Sequence, residues 1–435
     1  MSDHGIGLAE ALLGLDGFRV LAVTEDAGEV IIRIETTTDV TSCGGCGHRA
    51  ESQDRVDRHI RDLACFGRPS RLVWAKRRWR CRHMGCAAKT WTEASSAVSP
   101  RTVLTRRAGS EMCRQVGANA RPVAQLAREF GVEWWTVMNA VIEHGIPLVE
   151  DPARVGMVTT LGLDETSFLK ANRHHSTAYV TGFVDLDRRI MIDLVEGNDA
   201  GDVRAWLADR DLVWRQAVAT VAIDLAESYR AGLSPLLDHA VRVADPFHVV
   251  RVANRCLDQV RRRVQNETLE HRGRKDDPLY RIRKLLLKGS ERLDQRGSDR
   301  MLLGLRVGDP ADEVLGAWLA KESVRDVYLT NQPDDAALLI DKAIAGCLSD
   351  DVDEIRTLGR TLRRWRNEIV AHHHTGASNG PTEGLNLLVK KVKRCGHGFK
   401  RFDHYRLRVL LHTGGINWNR PPTPHIRSRS PHSNA

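Results

Sequence analysis

Val218-Ala219-Thr220-Val221-Ala222-Ile223-Asp224 is a nearly unbroken apolar run that ends on a carboxylate. A strand that does not alternate in polarity is buried on both faces, as in a parallel sheet covered by helices. Working outward, residues 157–164 form a second apolar run that closes on Asp164. Residues 177–185 and 190–196 are β-rich and are joined through Asp187-Arg188-Arg189, which reads as a turn. Residues 199–207 and 229–239 carry helical spacing, and 241–245 is a last short strand before a helix that runs through Arg262.

Three tightly joined strands followed by strand, helix, strand and helix match a ribonuclease-H-like α/β plan. In such a sheet, adjacent parallel strands ending on Asp164 and Asp224 place two carboxylates at one edge. Loop capping is the plain explanation for either one alone. Two close anions repel unless a cation lies between them, and hard oxygen donors suit Mg²⁺ or Mn²⁺. A third acid is offered by Ser378-Asn379-Gly380-Pro381-Thr382-Glu383-Gly384-Leu385-Asn386. Asn379 or Gly380 fits the cap of a helix and Pro381 its first position, which puts Glu383 in the first turn. The Glu383 face continues through Leu387, Lys390, Lys391 and Arg394, while Leu385, Leu388 and Val392 form an apolar face. Two readings stand side by side: a capping glutamate on a solvated basic helix, or a metal ligand beside a phosphate track.

The chain ahead of this region is of another kind. Residues 18–24 and 29–35 read as a hairpin turning at 25–28. Cys43-Gly-Gly-Cys46 and Cys81-Arg-His-Met-Gly-Cys86 flank a strand-rich segment containing a basic strand over 71–80. Paired cysteines at this spacing offer four thiolates to one structural Zn²⁺, with four unrelated core cysteines as the alternative. His48 and His83 stand close enough in sequence to replace a ligand. Residues 122–140 read as helix, glycine-bearing turn and helix, with Val123, Leu126, Ala127 and Phe130 on one face. This is either a helix-turn-helix, with the helix from Trp134 entering a major groove, or a plain helical hairpin. Residues 271–374 show helical spacing almost throughout, and basic clusters around Arg261 and Arg272 flank their start. His372-His373-His374 cannot all face one ion and read as a surface run. The tail over 420–435 is rich in Pro, Ser and Arg and is expected to be disordered.

The 435 residues carry 65 Lys+Arg against 56 Asp+Glu, a net charge of +9 that favours a polyanionic partner. No apolar run has membrane-spanning length, and the N-terminus lacks a basic segment followed by an apolar one. A cytoplasmic, nucleoid-associated protein without a membrane partner is expected. Its nine cysteines then act as thiols or metal ligands and not as disulfides.

From the Cys43 knuckle to about Leu411 the chain resembles the ISL-three family of bacterial insertion-sequence transposases, which have an Asp/Asp/Glu nuclease core. The resemblance rests on the two cysteine pairs, Leu161-Gly-Leu-Asp164-Glu, Ala222-Ile-Asp224-Leu and Ala244-Asp245-Pro-Phe-His248-Val-Val-Arg251. It rests most specifically on the Ser378–Asn386 stretch and on Gly398-Phe-Lys-Arg-Phe-Asp-His-Tyr-Arg-Leu-Arg. It implies that Asp164, Asp224 and Glu383 are the catalytic acids, that an all-helical insertion separates the last two, and that terminal inverted repeats are bound upstream. Chemistry then has Asp164 bridging two Mg²⁺ (or Mn²⁺) ions, with Asp224 on one and Glu383 on the other. Asp245 and His248 are expected to support the site. Arg77, Arg78, Trp134, Lys390, Lys391, Lys393, Arg394, Lys400 and Arg401 are the expected DNA contacts.

The expected fold is multidomain α+β. A hairpin segment (1–40), a zinc-binding β module (41–98) and a helix-turn-helix (99–147) come first. A ribonuclease-H-like core in two parts (155–262 and 376–415) encloses a helical insertion (263–375), and a tail (416–435) follows. The implied activity is DNA strand cleavage and transfer by a homo-oligomer in a synaptic complex. A regulator that binds DNA without catalysis, and a nuclease of structured nucleic acid that does not join strands, are the alternatives.

Overall fold

The N-terminal hairpin is present in the computed structural model, which describes residues 3–171, 173, 176–271 and 273–419, and for residues 3–5 the backbone only. The chain divides into two compact units. One combines the residues up to Arg154 with those from Leu388 onward, and the other is Val155–Leu387.

In the first unit, α1 (Asp3–Leu13) leads into β1 (Phe18–Asp26), β2 (Glu29–Thr36), β3 (Glu51–Cys65), β4 (Arg68–Arg80) and β5 (Thr90–Thr92). The β1–β2 turn uses Ala27 and Gly28, both at positive φ, which matches the twist of a tight hairpin. The sheet order is β1-β2-β4-β3, with β5 on β4. Segment 1–40 is therefore not separate from the cysteine module, because β2 pairs in parallel with β4 over Val30–Ile34. Ile34, Ile60, Leu72 and Trp74 form the buried centre of that sheet, and the Phe18 ring packs edge-on against Trp74 at 5.3 Å.

Three helices follow: α2 (Arg106–Gly117), α3 (Val123–Phe130) and α4 (Trp134–Val149). Thr105 caps α2, and its hydroxyl donates to the buried Asp62 carboxylate at 2.6 Å. Gly131 ends α3 in the left-handed region at φ 60°, where a Cβ would also lie 2.9 Å from the Arg61 guanidinium. Val123, Leu126 and Ala127 are buried as their spacing predicts, facing a helix that buries Val137 and Val141.

The second unit begins within α5 (Pro152–Val155) and carries β6 (Thr160–Leu169), β7 (Ala178–Asp185) and β8 (Ile190–Glu196). After these come α6 (Ala200–Ala208), α7 (Leu212–Ala217), β9 (Thr220–Ile223), α8 (Glu227–Leu233), β10 (Val241–Ala244) and α9 (Pro246–Leu269). The order is β10-β9-β6-β7-β8. The β6–β7 and β7–β8 pairs are antiparallel, whereas β9 runs parallel to β6, and β10 to β9. Val221, Ala222 and Ile223 are fully buried, as an unalternating strand requires.

One expectation changes here. β6 does not end at Asp164; its antiparallel ladder with β7 carries it on to Leu169. Its parallel ladder with β9 does stop, at Gly162–Ala222. Two residues further in that register, Asp164 comes level with Asp224, just past the end of the parallel pairing.

Helices α10 (Pro278–Leu286), α11 (Gln295–Gly308), α12 (Glu313–Asp326), α13 (Pro333–Leu348), α14 (Asp353–Arg364) and α15 (Arg366–Thr375) make up the helical region. They share one continuous apolar core with the sheet, running from Val158 to Val370. The junction expected at 262/263 falls inside α9, which is a single 24-residue helix. Among these helices the Lys321 ammonium is buried and donates to the carbonyls of Leu286 and Lys288, at 2.7 Å each.

Two helices close the chain. α16 (Gly380–Cys395) starts in the second unit and ends in the first, and α17 (Phe402–Thr413) lies wholly in the first. α17, expected with the core segment 376–415, packs on α2 and α4. Gly117 and Gly145 admit it: a Cβ at either would lie 3.0 Å or less from a Leu411 side-chain atom. The Arg272 position and the 420–435 tail lie outside the described residues.

Candidate active site

Local structure aims each acid. Asp164 sits in β6 at the end of the parallel ladder, and Asp224 follows β9 directly. Asp245 caps α9: its carboxylate accepts from the Phe247 amide at 3.1 Å, and Pro246 occupies the first turn. One turn on, the buried His248 presents Nδ1 to Asp224 Oδ1, and its Nε2 lies 3.8 Å from Glu383 Oε1. Arg251, a further turn along, places Nη2 3.6 Å from Asp224 Oδ2.

The start of α16 is fastened to β6 by a small polar lock. Asn379 and Thr382 are both 0% exposed. The Asn379 amide NH₂ donates to the Leu163 carbonyl at 2.8 Å, and its Oδ1 accepts from Thr382 Oγ1 at 2.6 Å. Its backbone N–H donates to Asp245 Oδ1 at 2.7 Å. Two turns into the helix, Asn386 Nδ2 donates to Asp164 Oδ2 at 2.6 Å. Gly162 makes the approach possible, since a Cβ there would lie 2.8 Å from both Asn379 Oδ1 and Thr382 Oγ1. Glu383, between these anchors, is thereby held on the same side of the sheet as Asp164.

Sequence reasoning missed the roles of Asn379, Thr382, Asn386 and Arg251. Asn386 carried a usable signal, because it stands three residues after Glu383 and shares its helical face. Glu165 points away from Asp164, and its carboxylate accepts from the Asn198 side chain at 2.8 Å. Asp245 caps α9 and accepts from the Asn379 amide just before α16, and His248 lies between Asp224 and Glu383.

The electrostatics are those of anions crowded without enough positive charge. Burial first, and then the nearby Asp224 charge, push the Asp164 carboxyl up to about 6. Burial and then Asp245 raise Glu383 above the usual carboxylate range. Burial opposes protonation of His248, but the Asp224 carboxylate outweighs it and the imidazole is raised. A bound divalent cation relieves this kind of repulsion, and oxygen donors are what Mg²⁺ or Mn²⁺ prefer. Among the described residues, Asp245, His248 and Glu383 form a donor group whose ligand atoms lie within 4.8 Å of one another. Asp164, Asp224 and Glu383 together do not form such a group. His248 stands between Asp224 and Glu383, and Asn386 takes one oxygen of Asp164.

The four cysteines converge. Cys43, Cys46, Cys81 and Cys86 offer sulfurs within 4.8 Å of one another, and the Cys43–Cys86 and Cys46–Cys81 pairs are each 3.6 Å apart. A tetrahedral site with Zn–S bonds of about 2.3 Å has sulfur–sulfur edges of roughly 3.8 Å, so the donors fit zinc. Amides support the knuckle: those of Gly45 and Cys46 lower the Cys43 thiol to about 7. Gly45 faces the cluster, where a Cβ would lie 3.4 Å from Cys86 Sγ. His48 and His83 stack beside it at 4.2 Å and form a further donor group with Cys46.

The expected DNA contacts divide. Lys390, Lys391, Arg394, Lys400 and Arg401 are exposed, Lys393 is half-buried, and the apolar face of α16 is Leu385, Val389 and Val392, not Leu388. Trp134 is exposed at the start of α4 and packs edge-on against the exposed Trp135 at 4.8 Å. Arg78 pairs with Asp54 at the surface. Arg77 is not available to DNA. It is 2% exposed, and its guanidinium is held by Glu35 at 3.3 Å and by Asp39 at 3.0 Å, so it braces the sheet.

With a cysteine module ahead of an acid-bearing α/β unit, the chain is of the DDE transposase class. Residues 161–409 match the profile of the ISL3 group of these enzymes, described as transposase. The chain belongs to that family. Residues 39–86 match the zinc-finger of transposase IS204/IS1001/IS1096/IS1165. Among curated proteins, the transposase for insertion sequence element IS1001 of Bordetella parapertussis is 24% identical over 414 residues, covering 92% of this chain and 97% of that one. The transposase for insertion sequence element IS1557 of Mycobacterium tuberculosis is 25% identical over 466 aligned positions, covering 97% and 98%. Among the described residues, no helix is long and apolar enough to cross a membrane.

Proposed function

We propose that this chain cuts DNA at the terminal inverted repeats of its own insertion sequence and joins the freed 3′-OH to target DNA, with Asp164, Asp224 and Glu383 as the catalytic acids. The observation that carries the reading is the lock. Segments about 220 positions apart in sequence approach each other because Asn379, Thr382 and Asn386 tie the Glu383 helix to the strand bearing Asp164. The strand order β10-β9-β6-β7-β8 supports a ribonuclease-H-like core.

Asp164, Asp224 and Glu383 would hold two Mg²⁺ or Mn²⁺ ions, which when bound supply Lewis acidity at the attacking and leaving oxygens. The chain's own residues do the positioning. Asn386 orients Asp164, His248 orients Asp224 and faces Glu383, and Asp245 ties α9 to the loop before α16. Zinc on the four cysteines closes the ribbon. The pair α3–α4 acts as a helix-turn-helix, with Trp134 at the start of its second helix. Lys390, Lys391, Lys393, Arg394, Lys400 and Arg401 neutralise phosphates. The synaptic complex is a homo-oligomer, and the protein works at the nucleoid.

The test is Glu383→Gln. With labelled end DNA and Mg²⁺, strand cleavage and joining should vanish while the affinity for end DNA stays within about twofold, since the change removes one charge and preserves shape. Retained cleavage would sink the assignment.

A further inference from the structure

A groove of ≈1270 Å³ lies in the second unit between α9 and α10, and seven of its thirteen lining residues are Arg or Lys against one Asp. Some of that charge is already used. Arg261 is buried on Asp258 and Gln265, and Arg263 pairs with Glu267, Glu313 and Glu354. The single acid, Asp258, is shared between Arg261 and Arg262. What remains faces solvent: Arg251, Arg255, Arg262 and Lys284 are exposed, and among the described residues no carboxylate pairs with Arg255 or Lys284. A trench with this excess of cations concentrates anions at its surface.

Its position says which anion. Arg251, Arg255 and Arg262 follow one another along one face of α9, over about 16 Å at 1.5 Å per residue. That length matches roughly five base-pair steps of about 3.4 Å along one DNA strand. The stripe begins at Arg251, whose guanidinium is 3.6 Å from Asp224. A small phosphate would engage one or two of these cations, whereas a backbone leaving the acids engages the whole row.

We infer that the α9–α10 groove holds the phosphate backbone of the substrate DNA over the base pairs next to the phosphate at the acids, with Arg255, Arg262 and Lys284 as the contacts. This rests on the reading of Asp164, Asp224 and Glu383 as the cutting site.

The experiment uses the full chain with zinc bound and a duplex extending about 15 base pairs to either side of the element's terminus, in the absence of Mg²⁺. Binding is therefore read apart from cleavage, so loss of the catalytic assignment in the Glu383→Gln test leaves this result interpretable. Arg255→Ala with Lys284→Ala should lower the slope of log affinity against log salt by roughly 1.8, from about 0.9 per lost phosphate contact. A photoreactive residue at position 284 should cross-link to DNA within about five base pairs of the terminus. An unchanged slope, cross-links confined to distant base pairs, or cross-links to a second copy of the chain would each overturn the inference. If the double variant unfolds, Lys284→Ala alone should still lower the slope by about 0.9, and its exposed position makes that single change mild for the fold.

Discussion

Replacing Gly162 by Ala tests the lock that organises the site. The added methyl would lie 2.7 Å from Leu186 Cδ2 and 2.8 Å from both Asn379 Oδ1 and Thr382 Oγ1. These are not flexible ends of exposed side chains. Asn379 and Thr382 are fully buried and bonded to each other, and Asn379 is also bonded to Leu163 and Asp245. To relieve the clash, the start of α16 must lift from β6 by several tenths of an ångström. Overpacking of this kind costs about 1–3 kcal/mol. Because Glu383 and Asn386 ride on that helix, the acids would lose register, and a misplacement of about 1 Å costs on the order of 100-fold in rate. The assay pairs thermal unfolding with a single-turnover strand-cleavage assay on end DNA. A drop in midpoint of a few degrees with cleavage down at least tenfold, while end binding is kept, is the expected outcome. Gly162→Ala protein with wild-type stability and wild-type cleavage would refute the claim that this close approach positions Glu383.

Other outcomes follow from the same geometry. The Asp164 carboxyl is raised from its ordinary 3.8 to about 6, so the folded chain holds a proton that the unfolded chain releases. Stability of the zinc-loaded protein without added Mg²⁺ should therefore fall as pH rises from about 4 to 6, and Asp164→Asn should flatten that dependence and be more stable at pH 7, as read by urea unfolding. Arg77→Ala should destabilise the protein by about 1–3 kcal/mol, because it removes a buried guanidinium that bonds Asp39 while Glu35 keeps Arg19 and Arg55, and should leave the salt slope of DNA binding unchanged. Cys43→Ser should lose the equivalent of zinc found by metal analysis and expose the module to proteolysis, since closed zinc sites contribute folding energy directly.

Several features are legible in the sequence itself. The unalternating 218–224 run marked a strand buried on both faces, and β9 is that strand. The cysteine spacing marked one cluster, and the sulfurs meet. The glycine between two apolar helical segments marked a turn, and Gly131 makes it at φ 60°. Each of these depends on local physics, in periodicity, ligand spacing or a φ that only glycine adopts cheaply, and such signals are written within a few residues.

What the sequence alone determined is the inventory and its local settings: three acids beside apolar segments, four thiolates on two knuckles, and a helix start within residues 379–381. It could not determine which cations serve the fold. Arg77 and Lys390 look alike in a basic chain, yet one is buried on Glu35 and the other is exposed. Nor could it show that α17 packs on α2 and α4, because the small surfaces at Gly117 and Gly145 that receive it lie far away in the chain. The approach of the Glu383 helix to the strand bearing Asp164 is likewise a tertiary fact. It depends on a space at Gly162 filled by two side chains more than 200 residues downstream, and on an imidazole that reaches both Asp224 and Glu383. Contacts of that range are fixed by how the packed core closes, since no local spacing encodes which distant surface a helix will meet.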